Sequence, residues 1–379
     1  MDFQLTEDQK EIRDAARDFA ENEIAPTAIE RDIKAEFPYD IVKKMGELGF
    51  MGMMVAPEWG GAGMDTVSYV LALEEISKVD ASVGVIMSVN NSLVCYGIEK
   101  WGSDFIKEKY LKPLASGEKL GAFCLSEPEA GSDATQQKTT AVDEGEYYVL
   151  NGIKNWITNG TTADYYFMQA MTDPEKGYKG ISTFIVEKAF EGVETGIKED
   201  KLGIRSSDTC TIGLNNVKVP KQNLLGEEGQ GFKFAMMTLN GGRIGIAAQA
   251  VGIAMASYEA AVKYSKQRKA FDAPISNLQA IQFKLADMAV KTDAAHLLTL
   301  KAAACKDEDK SYIKEAAMAK LYASKIAVEN SLEAIQVHGG YGYVREYQVE
   351  RYLRDSKITE IYEGTSEIQR LVIARELTR

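Results

Sequence analysis

Eight prolines punctuate this chain of 379 residues, and none follows Pro274. Proline has no amide hydrogen and its ring clashes with the preceding helical turn, so its absence leaves the whole C-terminal stretch free to form long helices. The apolar residues there are spaced for that outcome. Leu278, Ile281, Leu285 and Met288 recur at steps of three and four, and Ile313, Ala317, Leu321, Val328, Leu332 and Ile335 keep the same rhythm. Each set forms an apolar stripe along one helix. With the run from Phe232 to Lys266, the stripes predict long antiparallel helices packed as a bundle.

The start of the chain is helical too. Thr6-Glu7-Asp8-Gln9 has the form of a capping box before a helix ending near Glu21, and helical patterns cover residues 39–48, 66–78, 83–100 and 103–116. The loop APEWGGAGMD at 56–65 breaks this series. The middle differs: EYYVLNGIKNWITNG, ADYYFMQAM, GISTFIVEK and CTIGLNNVKVP are β-branched and aromatic, bounded by Gly, Asn and Asp. They read as short antiparallel strands. Strands do not alternate with helices, which disfavours a doubly wound nucleotide fold. The expected class is α+β, mostly α. A helical domain (1–120), an antiparallel β domain (121–228) and a helical bundle (229–379) follow one another without a low-complexity linker, so they should pack tightly.

A formal charge of −12 with no sustained basic run argues against nucleic acid as a partner. The acidic, amphipathic N-terminus lacks the basic start and apolar core of an export signal. The most apolar run read near it, Leu48 to Ala56, is too short to span a bilayer. Cys95, Cys124, Cys210 and Cys305 are scattered, and the two histidines, His296 and His338, are far apart. These facts predict no metal site, no disulfide framework and a reducing, cytoplasmic setting. Acid–base chemistry then falls to a carboxylate.

One carboxylate is oddly placed. EIYEGTSEIQR, residues 360–370, interrupts a helical pattern, and Ser366-Glu-Ile-Gln reads as a capping box for a restart. Glu363 stands in the break beside a glycine and two hydroxyl residues; taken alone, it is an ordinary solvated loop residue. GEEGQGF at 226–232 lacks the spacing and lysine of a phosphate loop and reads as a turn into the first bundle helix. HGGYGY at 338–343 ends a long helix, where glycine can take a left-handed cap or bare the backbone to a ligand. FCLSEPEAGSDA at 123–134 offers hydroxyls and N–H groups in a proline-broken loop, and NWITNG at 155–160 sets Trp156 beside an Asn-Gly turn.

In their order and spacing, LTEDQ, LSEPEAGSDA, NGIKNWITNG, DKLGIRSSDT, VPKQNLLGEEGQGFK, LNGGRIGIAAQAVGIA, QVHGGYGY and IYEGTSEIQRLVIAR resemble the acyl-CoA dehydrogenase family, and closely its short-chain, butyryl-CoA branch. The resemblance implies a helical, β and four-helix-bundle architecture and an FAD-dependent enzyme that forms a trans-2-enoyl-CoA. It implies that Glu363 takes the α-proton while the β-carbon gives a hydride to FAD. Phe123, Leu125, Ser126, Trp156, Ile157 and Thr158 are then expected to line the flavin ring, with Thr365, Ser366 and Glu367 also meeting FAD. Arg268, Phe271, Gln279, Gln336, Val337, His338, Gly339 and Gly340 should hold its pyrophosphate and adenosine across a subunit interface of a homotetramer. Ser132 should touch the coenzyme, and Asn240, Gly241, Gly242, Arg243 and Gly364 the substrate. An electron-transferring flavoprotein is the implied partner.

Two positions depart from the family pattern: Asn240 replaces a common Asp, and Asp272 stands where a glycine usually follows the phenylalanine. Isovaleryl- and long-chain-type relatives carry the base near position 242, here Gly242. No arginine lies between Arg31 and Arg205, which disfavours a dicarboxyl substrate. An oxidase returning electrons to oxygen, or a non-catalytic acyl-CoA-binding scaffold, are the competing readings.

Overall fold

The computed structural model describes residues 4–378. Thr6 caps the first helix as expected, accepting the Gln9 N–H while the Gln9 side chain accepts the Thr6 N–H. The helix Glu7–Phe19 does not stop near Glu21. It passes through a π turn, Ala20–Ile24, into Ala25–Lys34. Pro26 directly follows that π turn, whose widened bonding (Ala25 N–H to the Ala20 carbonyl) makes room in a continuous helix for a residue without an N–H. Tyr39–Glu47, Thr66–Val79, Ala81–Trp101 and residues 104–115 complete the helical region.

The sheet consists of β1 (Gly121–Cys124), β2 (Thr140–Asp143), β3 (Tyr147–Thr158), β4 (Tyr165–Met171), β5 (Ile181–Glu187), β6 (Val193–Thr195), β7 (Thr209–Pro220) and β8 (Leu224–Leu225). Its order is β6-β7-β3-β2-β4-β5-β8, with β1 also paired to β4. The expected purely antiparallel domain is thus a mixed sheet, because β1 lies parallel to β4 and β2 meets β4 in parallel at Thr140 and Met171. The chain reverses after β3, but the connection at 159–164 passes over β2, so β4 lies antiparallel to β3 and parallel to β2.

The bundle comprises Gly231–Gln267, Gln279–Asp307 and Ile313–His338, followed by the shorter Val349–Ile358 and Ser366–Leu377. Interior glycine weakens a helix by roughly 1 kcal/mol relative to alanine, yet the first bundle helix has Gly242, Gly245 and Gly252 along one stripe. A Cβ on Gly245 would lie 2.4 Å from Ser88 Oγ, and one on Gly252 2.5 Å from the Glu74 carbonyl oxygen. The stripe lets the N-terminal helices approach the bundle at backbone distance. One apolar core therefore runs from Phe19 and Met45 through Ile76 and Ile86 to Ala250 and Ala323, while the sheet keeps its own around Leu150, Phe184 and Ile212.

Ala81–Trp101 and Gly231–Gln267 are long and apolar enough to cross a bilayer, but 94% and 78% of their most apolar windows are buried inside the protein. The first of these is the helix expected at 83–100, and it is a longer apolar stretch than Leu48 to Ala56. Elsewhere part of the predicted apolar stripes is uncovered: Leu278, which caps the second bundle helix, and Leu332 on the third are exposed, as are Phe283 and Val290 outside the predicted stripes.

Candidate active site

The break at residues 359–365 is a built structure. The Ser366 N–H reaches back to the Glu360 carbonyl at 3.0 Å, closing the loop. Glu363 and Gly364 are both left-handed, with φ of 52° and 94°. Glycine takes this conformation freely, whereas glutamate does so at a cost of about 1 kcal/mol or more. The surroundings impose it. The Gln369 amide donates to the Gly364 carbonyl at 2.8 Å and to that of Glu363 at 3.3 Å, and Lys320 Nζ donates to the Gly364 carbonyl at 2.6 Å. The cap is displaced by one residue from the expected Ser366. Thr365 accepts the Ile368 N–H at 3.3 Å, because Gln369 is engaged with the carbonyls of the break and does not complete a box.

Glu363 is half-buried, and its Oε2 is sealed from solvent without a hydrogen-bond partner. A Cβ on Gly242 would lie 2.0 Å from that oxygen and 2.7 Å from Leu93 Cδ2, so the carboxyl fills space that the missing side chain leaves. Burial pushes the Glu363 carboxyl up to about 7, against the opposing pull of the Lys320 and Arg243 charges. Arg243 is buried too. It donates to Asn240 Oδ1 at 2.7 Å, and its Nε has no partner. Tyr69, Ser88 and Ser92 form a buried hydroxyl group nearby, with Tyr69 Oη donating to Ser88 Oγ at 3.1 Å.

A second group gathers on the sheet. The β3–β7 register slips between Lys154 and Ile157, giving β3 one extra residue there. This bulge puts Trp156 at φ 60° and leaves its side chain 63% exposed. The indole is turned outward, not packed in the core. Asn155 Oδ1 accepts the Trp156 N–H at 3.0 Å, and the Asn155 N–H donates to the Ser126 carbonyl at 2.9 Å. Thr158, Phe123 and Ser126 are half-buried and Ser132 is exposed. The Ile157 side chain lies in the sheet core, leaving its backbone for contact. Leu125 packs with Ala235, which sets this loop against the helix that carries Asn240 to Arg243.

The sequence reading missed the anchor of this loop. Lys154 is fully buried, and its Nζ donates to Glu127 Oε1 at 2.7 Å, Gln137 Oε1 at 2.9 Å and the Leu125 carbonyl at 3.2 Å. Glu127 in turn accepts the N–H groups of Lys138 and Thr139 at 2.6 and 3.1 Å. The available signal was a lysine on the inward side of a strand pattern.

The third group lines a cleft of about 730 Å³: Arg268, Val337, His338, Gly339 and Gly340, with Tyr264, Tyr341 and Tyr347. His338 stacks on Tyr264 at 4.1 Å, and the Arg268 guanidinium lies over Tyr341 at 5.7 Å. Gly339 has φ 60° and ψ −137°, outside the expected left-handed helical cap and in a region open essentially to glycine. Phe271 and Asp272, both left-handed, form the two-residue turn between Lys269–Ala270 and Ala273–Pro274. Aspartate tolerates this conformation, so the turn survives without the usual glycine. Gln279 and Gln336 are exposed at helix ends. Trp156 and Thr158 do not line this cleft.

The acyl-CoA dehydrogenase N-terminal, middle and C-terminal domains match residues 6–118, 122–217 and 229–378. The chain is 54% identical over 376 residues to the mitochondrial short-chain specific acyl-CoA dehydrogenase of Rattus norvegicus, covering 99% of this chain and 91% of that protein. It superposes on butyryl-CoA dehydrogenase from Megasphaera elsdenii with a TM-score of 0.99 at 48% identity, covering both chains fully. It matches equally well (TM-score 0.99, 51% identity, full coverage of both) a chain from the structural study of the electron transferring flavoprotein of Acidaminococcus fermentans. Alike in all three domains and along its whole length, the chain belongs to the acyl-CoA dehydrogenase family.

Proposed function

We propose that this enzyme converts a short-chain acyl-CoA to the trans-2-enoyl-CoA, with Glu363 as the base for the α-proton, FAD as the cofactor and an electron-transferring flavoprotein as the next carrier. The observation that carries the reading is the sealed, unpartnered Oε2 of Glu363, backed against Gly242 on a half-buried residue. A C–H beside a thioester is a weak acid. It needs a base that is ionised near neutral pH yet poorly solvated, and burial supplies that combination.

The residues present fit FAD. Trp156 turns outward beside Thr158 and the Ser126 loop, suiting one side of a flavin ring. Gly339 and Gly340 leave open space where side chains would stand, and Arg268 faces the same cleft, suiting a pyrophosphate. At the start of the Ser366–Leu377 helix, Thr365 and Ser366 add hydroxyl groups beside the exposed Glu367. When bound, FAD supplies the acceptor for the hydrogen and electrons leaving the β-carbon.

The protein's part is positioning and charge. Glu363 receives the α-proton, and its own N–H stabilises negative charge developing on the thioester oxygen. Gly364, where a Cβ would stand 2.6 Å from the Gln369 amide, keeps the break tight beside the substrate, and Asn240 with Arg243 stands on its other side. The exposed apolar face of Leu278, Phe283, Val290 and Leu332 supports a homotetramer in which the nucleotide cleft serves a neighbouring subunit. The four free cysteines support a cytoplasmic setting.

An anaerobic series of acyl-CoAs of increasing length, with and without an electron-transferring flavoprotein, tests this reading. Flavin bleaching should be fastest with butyryl-CoA, with sustained turnover only when the flavoprotein is added. Hydrogen peroxide as the main product in air would make the enzyme an oxidase, and no bleaching with any thioester would make it a scaffold.

A further inference from the structure

Lys320 lies on the buried face of the third bundle helix, among Ala316, Ala319, Ala323 and Ala327, and is itself 0% exposed. An ammonium is rarely buried without a carboxylate partner, because losing its hydration costs several kcal/mol or more. Among the described residues Lys320 makes no ion pair. Its Nζ donates to one neutral acceptor, the Gly364 carbonyl at 2.6 Å. The Gln369 amide already donates to that carbonyl at 2.8 Å. An anchor for the carbonyl alone therefore needs no charge at position 320.

The charge has another object. From the third bundle helix Lys320 reaches the residue next to Glu363. Its charge and that of Arg243 on the first both act on the Glu363 carboxyl, and that carboxyl in turn acts on Tyr69 of Thr66–Val79 and Tyr362 of the break. Glu360 and Glu367 face Lys320 from farther along the chain. Arg243 is committed to Asn240 Oδ1. Building on the reading of Glu363 as the base, we propose that Lys320 is its positioning residue: it holds the left-handed break through the Gly364 carbonyl and keeps the neighbouring carboxylate ionised through its charge. Burial also drives Lys320 itself down to about 8, so charge on the pair is available in a window around neutral pH.

The test is the pH dependence of anaerobic flavin reduction by butyryl-CoA in the FAD-loaded enzyme and in K320M, K320Q and K320R. In the unmodified enzyme the rate should rise through about pH 7 as Glu363 ionises. Removing the positive charge raises a carboxylate's pKa, so the midpoint should move up by about one pH unit in both K320M and K320Q. K320Q keeps a donor for the Gly364 carbonyl, so its plateau rate at high pH should approach that of the unmodified enzyme, while K320M falls roughly tenfold below it. K320R should return the midpoint toward its original position. An unmoved midpoint in K320M and K320Q overturns the proposal. Failure of K320Q and K320R alike to retain FAD also overturns it, by assigning Lys320 to the fold. The base is tested separately. Bleaching in E363Q defeats the functional reading, whereas a silent E363Q with an unmoved K320Q profile defeats only this inference.

Discussion

Gly242 and the Glu363 carboxyl compete for one small volume, and this exclusion explains why a base near position 242 and a base at 363 are alternatives. In G242A the new methyl group would overlap a flexible carboxyl end and a leucine methyl, not backbone. The carboxyl should swing aside while the fold survives. Flavin reduction is expected to fall at least ~100-fold with FAD retained and melting nearly unchanged; a fully active G242A would show that the carboxyl does not work from this position. The break that holds Glu363 was legible in the sequence through the motif around it. Lys320 and Lys154 were not, since a charge on an inward face acquires meaning only when the fold supplies its partners. Asn240 kept the acceptor that Arg243 requires.

Among the elements, the long helices and strands β3, β4, β5 and β7 were readable because their periods persist over many residues. The short strands β1, β2, β6 and β8 were not, as two to four residues carry no period. The parallel pairing of β1 with β4 is a tertiary choice that leaves no local mark. The first bundle helix shows the same limit: its glycines were visible, but their role as a close-packing stripe depends on Ser88 and Glu74 lying across from them. G252A places a methyl group 2.5 Å from the Glu74 carbonyl oxygen, a backbone atom that cannot step aside. The expected result is a loss of ~2 kcal/mol in stability, read as a lower midpoint in denaturant. An unchanged midpoint would mean that the two helices separate freely.

For the molecule as a whole, the order of a helical domain, a β domain and a bundle was legible, while the way the N-terminal helices and the bundle share one core was not. The predicted nucleotide-binding residues sort into two places on a single chain, the Trp156 bulge and the Arg268 cleft. If the cleft serves a neighbouring subunit, R268A should weaken FAD binding about tenfold, as expected for losing one charged contact, without changing the molecular mass in solution. Undiminished affinity in a cofactor titration would remove Arg268 from the site.

The most direct measurement is rapid anaerobic mixing of FAD-loaded E363Q with butyryl-CoA, followed through the flavin absorbance. Glutamine preserves the size of the side chain and its place against Gly242 but cannot take the α-proton. The account predicts a yellow protein that binds the thioester and stays oxidised while the unmodified enzyme bleaches. Bleaching of E363Q at the normal rate would contradict it.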